Sequence, residues 1–505
     1  MNRKTLLSLV AITLNVIASL PLYAQNMSIR LTTSSPVNTH LSFTVNSSAQ
    51  QLSIDWGDGK LSTYELPESG MATLDGTTKG HTIILNGDDN WFFLDCGNCQ
   101  LTDIDLSQAG NLQSLHCPNN QLDSLALTGM HHLLDLNCAN NNLTKLIFTN
   151  SSAPQQDLSK IENLDLSHNK FEGTLVCNLP TLQHLNISGN NFTSLDLGNM
   201  PLISLNCNDN QIGGILNIEQ NRQLATLLCD NNLFTSLQAN TQRKGLRQVT
   251  LNNNRLTSLD LSKDEELQDL ACNDNRLNKL RLSPTAHLAT LGIANNALTL
   301  NALPGKESKP LYTAFESQHP FSFTINDGIA VHEDQMYIPV ISTWNENAEN
   351  TIDLSAYCSL ADGTHDAHFE WYSIDNTGNT KKMERRSTVS SEGDYYSKGN
   401  KCGFFISKPY AYVKISSPTY GVSVESLPIP LGNALTGIQE SQASSENLQI
   451  YVSNTGILIN SPAERFVNIY NIEGKSIFAQ KLRGTVSIPL AKGVYFVNSK
   501  KIIIA

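Results

Sequence analysis

Residues 115–125 read LHCPNNQLDSL, and residues 136–146 read LNCANNNLTKL. A cysteine holds the same slot in both stretches, 21 residues apart, and it fills that slot six times, at 96, 117, 138, 207, 229 and 272. The asparagine three residues further on recurs more faithfully: Asn120, Asn141, Asn169, Asn190, Asn210, Asn232, Asn254, Asn275 and Asn296, with Cys99 in the same place one unit earlier. The steps are 21, 21, 28, 21, 20, 22, 22, 21 and 21 residues. The unit is L-x-x-L-x-[C/L/I]-x-x-N-x-[L/F/I]-x-x-L-x-[L/F/I], and ten copies fit between residues 91 and 301. Alternation across Leu115-His116-Cys117 sets the leucine and the cysteine on one face of a strand and the histidine on the other. One such unit cannot cover its own apolar face, so neighbours must stack and share a core.

This pattern resembles the leucine-rich repeat, and the resemblance spans about 210 residues. It implies a solenoid with a parallel sheet. Each asparagine stands where the chain leaves its strand, and its amide can both donate and accept. The cysteine slot is also filled by Leu166, Ile187, Leu251 and Ile293. A position that takes Leu, Ile and Cys is apolar and buried, where free Cys packs as a small hydrophobe. Equivalent residues on adjacent parallel strands sit about 4.8 Å apart, too far for the roughly 3.8 Å that a disulfide asks of its Cβ atoms. Buried thiols are therefore expected. One unit is longer by seven residues, TNSSAPQQDLSK at 149–160, and reads as a loop at the rim.

The outward slots of the strands are legible too. One slot runs Asp95, His116, Asn137, Asp165, Asn186, Asn206, Leu228, Thr250, Ala271, Gly292. The other runs Phe93, Ser114, Asp135, Asn163, His184, Ser204, Thr226, Gln248, Asp269, Thr290. The N-terminal half is rich in Asp, Asn and His. On a concave sheet these are candidate ligand contacts: Ser114, His116, Asp135, Asn137, Asn163, Asp165, His184, Asn186, Ser204 and Asn206. Solvated strand residues would look the same.

The flanks differ. Residues 1–24 pair Arg3 and Lys4 with the apolar run LLSLVAITLNVIASL and end in a small residue, the form of a secretory signal peptide. Residues 25–90 alternate as strands, and IDWGDG at 54–59 resembles the motif of polycystic-kidney-disease-like β-modules. A turn explains its glycines, and Asp55 with Asp58 offers too few oxygens for calcium. This β region is expected to cap the first repeat. Residues 304–431 lose the repeat and gain strand patterns. Their Cys358, Trp371 and Cys402 are ordered as in an immunoglobulin-like sandwich, a partial resemblance in which Asn400 stands where the corner tyrosine belongs, and which leaves a Cys358–Cys402 disulfide open beside two free thiols. Residues 432–505 hold a linker and then FVNIYNIEGKSIFAQKL and VSIPLAKGVYFVNSKKIIIA. These resemble the sorting domain of the Bacteroidetes type IX secretion system, at Val467, Tyr470, Gly474, Lys475, Leu490, Gly493, Tyr495, Val497 and Lys501. That family implies export across the outer membrane, removal of the domain and attachment to surface lipopolysaccharide.

The expected fold is mainly β. A solenoid of about ten 21-residue repeats (91–303) is flanked by the β cap, the immunoglobulin-like sandwich and a small C-terminal β-sandwich sorting domain. The order resembles BspA-like and internalin-like surface proteins, which implies an adhesin whose solenoid binds a host or bacterial surface protein. The alternatives are a glycan-binding surface module or a structural surface component. The formal charge of −12, spread thinly with no long acidic run, argues against nucleic acid and anionic membrane surfaces as partners. No later stretch reaches the roughly 18 apolar residues of a spanning helix. His332-Glu333 lacks the second histidine of a zinc motif, since Met336 stands in its place. CGNC at 96–99 is explained by the repeat. No catalytic set, metal site or cofactor is expected. Asp123-Ser124-Leu125 resembles a short O-glycosylation motif of exported Bacteroidetes proteins.

Overall fold

The computed structural model describes residues 27–87, 91–149, 156–176, 179–239, 245–323, 329–332, 335–345, 351–375, 379–432, 449–453, 456–471, 476–490, 493–497 and 500–504. The signal segment 1–24 lies outside these residues, as do Gly474 and Lys475. The chain divides into two compact units, residues up to 256 with 266–271, and residues 257–265 with 272 onward.

In the first unit the repeat becomes a parallel sheet. Strand Trp91–Asp95 is followed by three-residue strands: Ser114–His116, Asp135–Asn137, Asn163–Asp165, His184–Asn186, Ser204–Asn206, Thr226–Leu228, Gln248–Thr250 and Asp269–Ala271. They pair without slippage, so Leu94, Leu115, Leu136, Leu164, Leu185, Leu205 and Leu227 stand side by side. All seven are buried, as are Cys96, Cys117, Cys138, Cys207 and Cys229 two residues on. Burial, with help from Asp95, pushes the Cys117 thiol up to about 12. All nine described cysteines are buried thiols, and Cys207 donates to the Cys229 sulfur at 2.8 Å.

The asparagines join one turn to the next. Asn190 Oδ1 accepts the Phe171 amide of the preceding turn at 3.1 Å, while Nδ2 donates to the carbonyls of Leu166, Ile187 and Ser188. Asn120, Asn141, Asn169 and Asn210 repeat this arrangement with their own neighbours. A buried backbone group needs a partner, and a planar amide that donates and accepts supplies two turns at once. The residue before each asparagine is in the left-handed region: Asn98, Asn119, Asn140, His168, Asp209, Asn231 and Asn253 have φ between 53° and 59°. Asn and Asp reach that region more easily than other side chains, which explains why the sequence reads NN or DN there. Short strands pair on the opposite side of the turns, such as Ser124–Ala126 with Lys145–Ile147 and Gly213–Asn217 with Leu233–Gln238.

The first repeat is covered by β-structure on both sides. Strand His40–Ser47 pairs antiparallel with Trp91–Asp95, and Met27–Thr33 with Leu101–Asp105. Edge strands invite foreign pairing, and these two are occupied. In the IDWGDG turn, Asp55 Oδ1 accepts the amides of Gly57, Asp58 and Gly59 at 2.8, 3.1 and 3.0 Å. That oxygen is consumed by the turn, as the glycine pattern suggests. The 149–160 insertion is tied at its end by buried Asp157, which accepts from Gly129 N, Thr149 N and Thr149 Oγ1 at 2.7–2.8 Å.

The second unit carries the repeat one turn past the tenth. Strand Thr290–Gly292 pairs in parallel with Tyr312–Ala314. Gln318 takes the asparagine's place, its Oε1 accepting from Leu298 N at 2.9 Å and its Nε2 donating to Ile293 O at 2.7 Å. Ser317, at φ 59°, takes the left-handed position. Beyond it two sheets pack together. One holds Thr380–Lys382, His368–Ile374, Lys408–Ser417, Val422–Glu425 and Ile429–Leu431; the other holds Ile352–Asp353, Lys401–Phe404 and Tyr395–Lys398. Fully buried Trp371 of the first sheet meets Phe404 of the second edge-on at 4.7 Å. Cys358 and Cys402 are both buried thiols here, so the disulfide that the resemblance leaves open is not formed, and burial, against a lowering contact from Trp371 and with help from Cys358, holds Cys402 well above the ordinary range. The C-terminal strands Gln449–Ser453, Gly456–Asn471, Ser476–Pro489, Gly493–Val497 and Lys500–Ile504 form one antiparallel sheet. Val467 and Leu490 lie in its apolar core with Ile457, Ile459, Ile469 and Ile488. Tyr470, Gly493, Tyr495 and Lys501 lie on its strands.

Among the described residues there is no α-helix, and no helix is long and apolar enough to cross a membrane. The fold is a leucine-rich-repeat solenoid with flanking β domains.

Candidate functional site

The strand register turns the two outward slots into two straight rows. Ser114, Asp135, Asn163, His184, Ser204 and Thr226 are direct neighbours in one row, and His116, Asn137, Asp165, Asn186, Asn206 and Leu228 in the other. All ten residues anticipated as ligand contacts lie on this one face. His184 is exposed and the other nine are half-buried.

Within the rows the side chains bond across strands. His116 Nε2 meets Asp135 Oδ2 at 3.0 Å and Ser114 Oγ at 3.3 Å, and the ring of Phe93 stands edge-on to it at 5.3 Å. Asn186 Nδ2 donates to Asp165 Oδ2 at 3.1 Å, and His184 Nδ1 meets Ser204 Oγ at 2.7 Å. Ser114, His116 and Asp135 have the residue types of a hydrolytic triad. A working triad needs the hydroxyl and the carboxylate on opposite ring nitrogens. Here both bind Nε2, so no proton path runs from serine through the ring to the carboxylate. The set is a hydrogen-bonded surface cluster.

A second role emerges for the Asp and Asn of the His116 row. Asp95, Asn137, Asp165, Asn186 and Asn206 each accept, through Oδ1, the amide two residues on, at 2.9–3.2 Å. The side chain thereby turns the chain off its strand. The sequence offers Asn137, Asp165, Asn186 and Asn206 either as ligand groups or as plain solvated strand residues. In the structure one oxygen of each is spent on the turn, and the second carboxylate oxygen or the amide nitrogen is what remains to face outward. Phe93, outside the anticipated contacts, is part of the same cluster and is the aromatic member that the outward slots supply. None of the twenty outward slots holds Lys or Arg, while Asp95, Asp135, Asp165 and Asp269 do present carboxylates. The face of the first unit is therefore acidic.

Among the described residues no group of three His, Cys, Asp or Glu side chains could hold a metal ion.

No family model matches the chain, and no curated protein matches its sequence. Several solved structures are similar, including these two. The functional domain of InlJ from Listeria monocytogenes, which is described as including a cysteine ladder, matches at 17% identity and TM-score 0.27, over 70% of this chain and 93% of that one. YopM from Yersinia enterocolitica WA-314 matches at 23% identity and TM-score 0.34, over 46% of this chain and 57% of that one, so the match spans little more than half of YopM. Likeness at these identities concerns the fold alone.

Proposed function

We propose that this protein is an exported cell-surface binding protein that holds a protein partner on the outward face of its repeat sheet, in the manner of an adhesin. The observation that carries this reading is the pair of unbroken polar rows. Side chains of Ser114 to Ser204 and of His116 to Asn206 are held in register by neighbouring strands and preorganised by hydrogen bonds across them. A rigid face loses little entropy on binding. Its carboxylates and its lack of Lys and Arg favour a partner with a basic patch, and Phe93 beside His116 offers an apolar contact within the polar rows. The signal-like segment 1–24 and the likeness of residues 432–505 to type IX sorting domains support export, handling by that secretion machinery and attachment to surface lipopolysaccharide. A BspA-like or internalin-like role in coaggregation, biofilm or host contact follows from the same layout. A neutral glycan is the second reading, favoured by the Asn and Ser content of the rows.

The test is retention. Purified protein on beads is exposed to extracellular host proteins, to soluble glycans and to surface extract of the producing cells. A retained basic protein that is released by salt and lost on His116→Ala with Asp135→Ala supports the reading. A partner retained equally by that double variant would refute the sheet face as its site.

A further inference from the structure

A cleft of about 390 Å³ lies in the second unit, and the sheet face contributes nothing to it. Three segments distant in sequence wall it: the short 3-10 turn Lys306–Ser308, residues 365–368 leading into strand His368–Ile374, and Pro418-Thr419 after strand Lys408–Ser417. Its floor is Asp366, buried although charged. The Asp366 carboxylate accepts from Ser417 Oγ, from Thr419 Oγ1 at 2.5 Å and from Thr419 N at 3.3 Å, and Lys306 Nζ lies 3.3 Å away. Burial alone would raise this carboxyl, but those donors outweigh it and hold it below its usual range. Four donors occupy the lone pairs that a carboxylate offers, so Asp366 has little left for a ligand. It fixes Lys306 at the mouth with further N–H groups to spare. Gly305 lets the turn approach this closely, since a Cβ there would stand 1.9 Å from Asp362 Oδ2.

Two exposed imidazoles, His365 and His368, belong to the same lining. His365 Nδ1 is near Asn400 Nδ2 at 3.4 Å, and a ring that accepts there through Nδ1 carries its proton on Nε2. A latch between Asp366 and Lys306 would account for the buried carboxylate. It does not account for two imidazoles in the lining that Lys306 shares. Once the internal bonds are set aside, the cleft offers one ammonium and two ring N–H donors. Ala367 and Pro418 are its apolar lining, so a lipid or aromatic ligand would find little to pack against.

We infer that this cleft binds a monosaccharide-sized anion, a sugar carrying a carboxylate or a phosphate, with Lys306, His365 and His368 on the anionic group. The site is independent of the proposed partner surface and would remain if that reading failed.

The experiment is calorimetric titration of the whole protein with glucuronate, glucose 6-phosphate, inorganic phosphate and glucose. It is repeated on a His365→Ala, His368→Ala double variant and on Lys306→Gln. Both histidines are exposed, so the double variant should keep its fold, which circular dichroism checks. The expected result is binding of glucuronate or glucose 6-phosphate, weakened at least tenfold in each variant, with no binding of glucose. Preference between the two sugars assigns carboxylate or phosphate. Phosphate binding as tight as glucose 6-phosphate would overturn the sugar part of the inference. Equal binding of glucose, or anion binding untouched in a folded double variant, would overturn the site.

Discussion

Asn190 is the sharpest place to test how the solenoid is held. It is 6% exposed; its Oδ1 accepts from the turn before, and its two N–H groups are shared among three carbonyls of its own bend and the preceding one. At about 1 kcal/mol net per full bond, Asn190→Ala costs roughly 3 kcal/mol, and the substitution also strands buried backbone groups that water cannot reach. Asn231 is the control. It is exposed at φ 57°, and its side chain donates to Asp209 Oδ1 at 2.7 Å and accepts from Asn253 Nδ2 at 2.9 Å, so Asn231→Ala gives up two exposed bonds and adds left-handed strain. That is about 1–2 kcal/mol. Guanidinium unfolding followed by circular dichroism measures the difference, and native-state hydrogen exchange localises it. In Asn190→Ala the Phe171 amide should lose protection, while the Ile212 amide, bonded to Asn232 Oδ1 at 3.0 Å, should keep it. If Asn190→Ala costs no more than Asn231→Ala, or if Phe171 keeps its protection, the amide column does not hold the turns together.

Three further outcomes are expected. Nine of the ten cysteines are buried thiols, so at most one should react promptly with a thiol reagent at pH 8 in the native protein (10 − 9 = 1). After denaturation without reductant, ten reactive thiols are expected; eight would mean that one pair has joined, with Cys358–Cys402 and Cys207–Cys229 told apart by peptide mapping. Asp157 should make stability pH-dependent. Burial raises its carboxyl, but Gly129, Thr149 and His131 together hold it below the usual 3.8. A folded pKa below the unfolded one gives stability that is present above about 3.8 and lost as pH falls through the lower folded value. The stability gap between wild type and Asp157→Asn should therefore shrink on acidification; a gap constant from pH 6 to pH 2 would sink the assignment. Gly76→Ala should strain the N-terminal β region, because its Cβ would stand 2.0 Å from the Trp56 ring, which is stacked on Phe43. A loss of about 1–3 kcal/mol is expected from such overpacking; an unchanged melting temperature would mean that Trp56 moves freely aside.

What the sequence disclosed depended on repetition. The leucine, cysteine and asparagine slots recur every 21 or so residues because each turn meets the same neighbours, and an environment repeated ten times leaves a visible column. The asparagine column ends at Asn296 in the sequence, because Gln318 replaces asparagine in the next turn. Its amide does the same work from one methylene further out, bonding Leu298 N and Ile293 O. The left-handed residue was equally on show, as the Asn, Asp, His or Gly before each ladder asparagine, but a backbone angle has no hydrophobic signature. The outward rows were placed correctly because alternation decides which face a strand residue takes. The local duty of Asp165 or Asn186 was hidden, since Asp and Asn serve a turn and a ligand with the same atoms. The Lys306–His365–His368 cleft had no trace in the sequence. Lys306 and Thr419 are 113 residues apart (419 − 306 = 113) and meet only because Asp366 is buried between them. Periodic structure is thus readable from a single chain, whereas a site assembled once, from segments that never repeat, is readable only after the chain has folded.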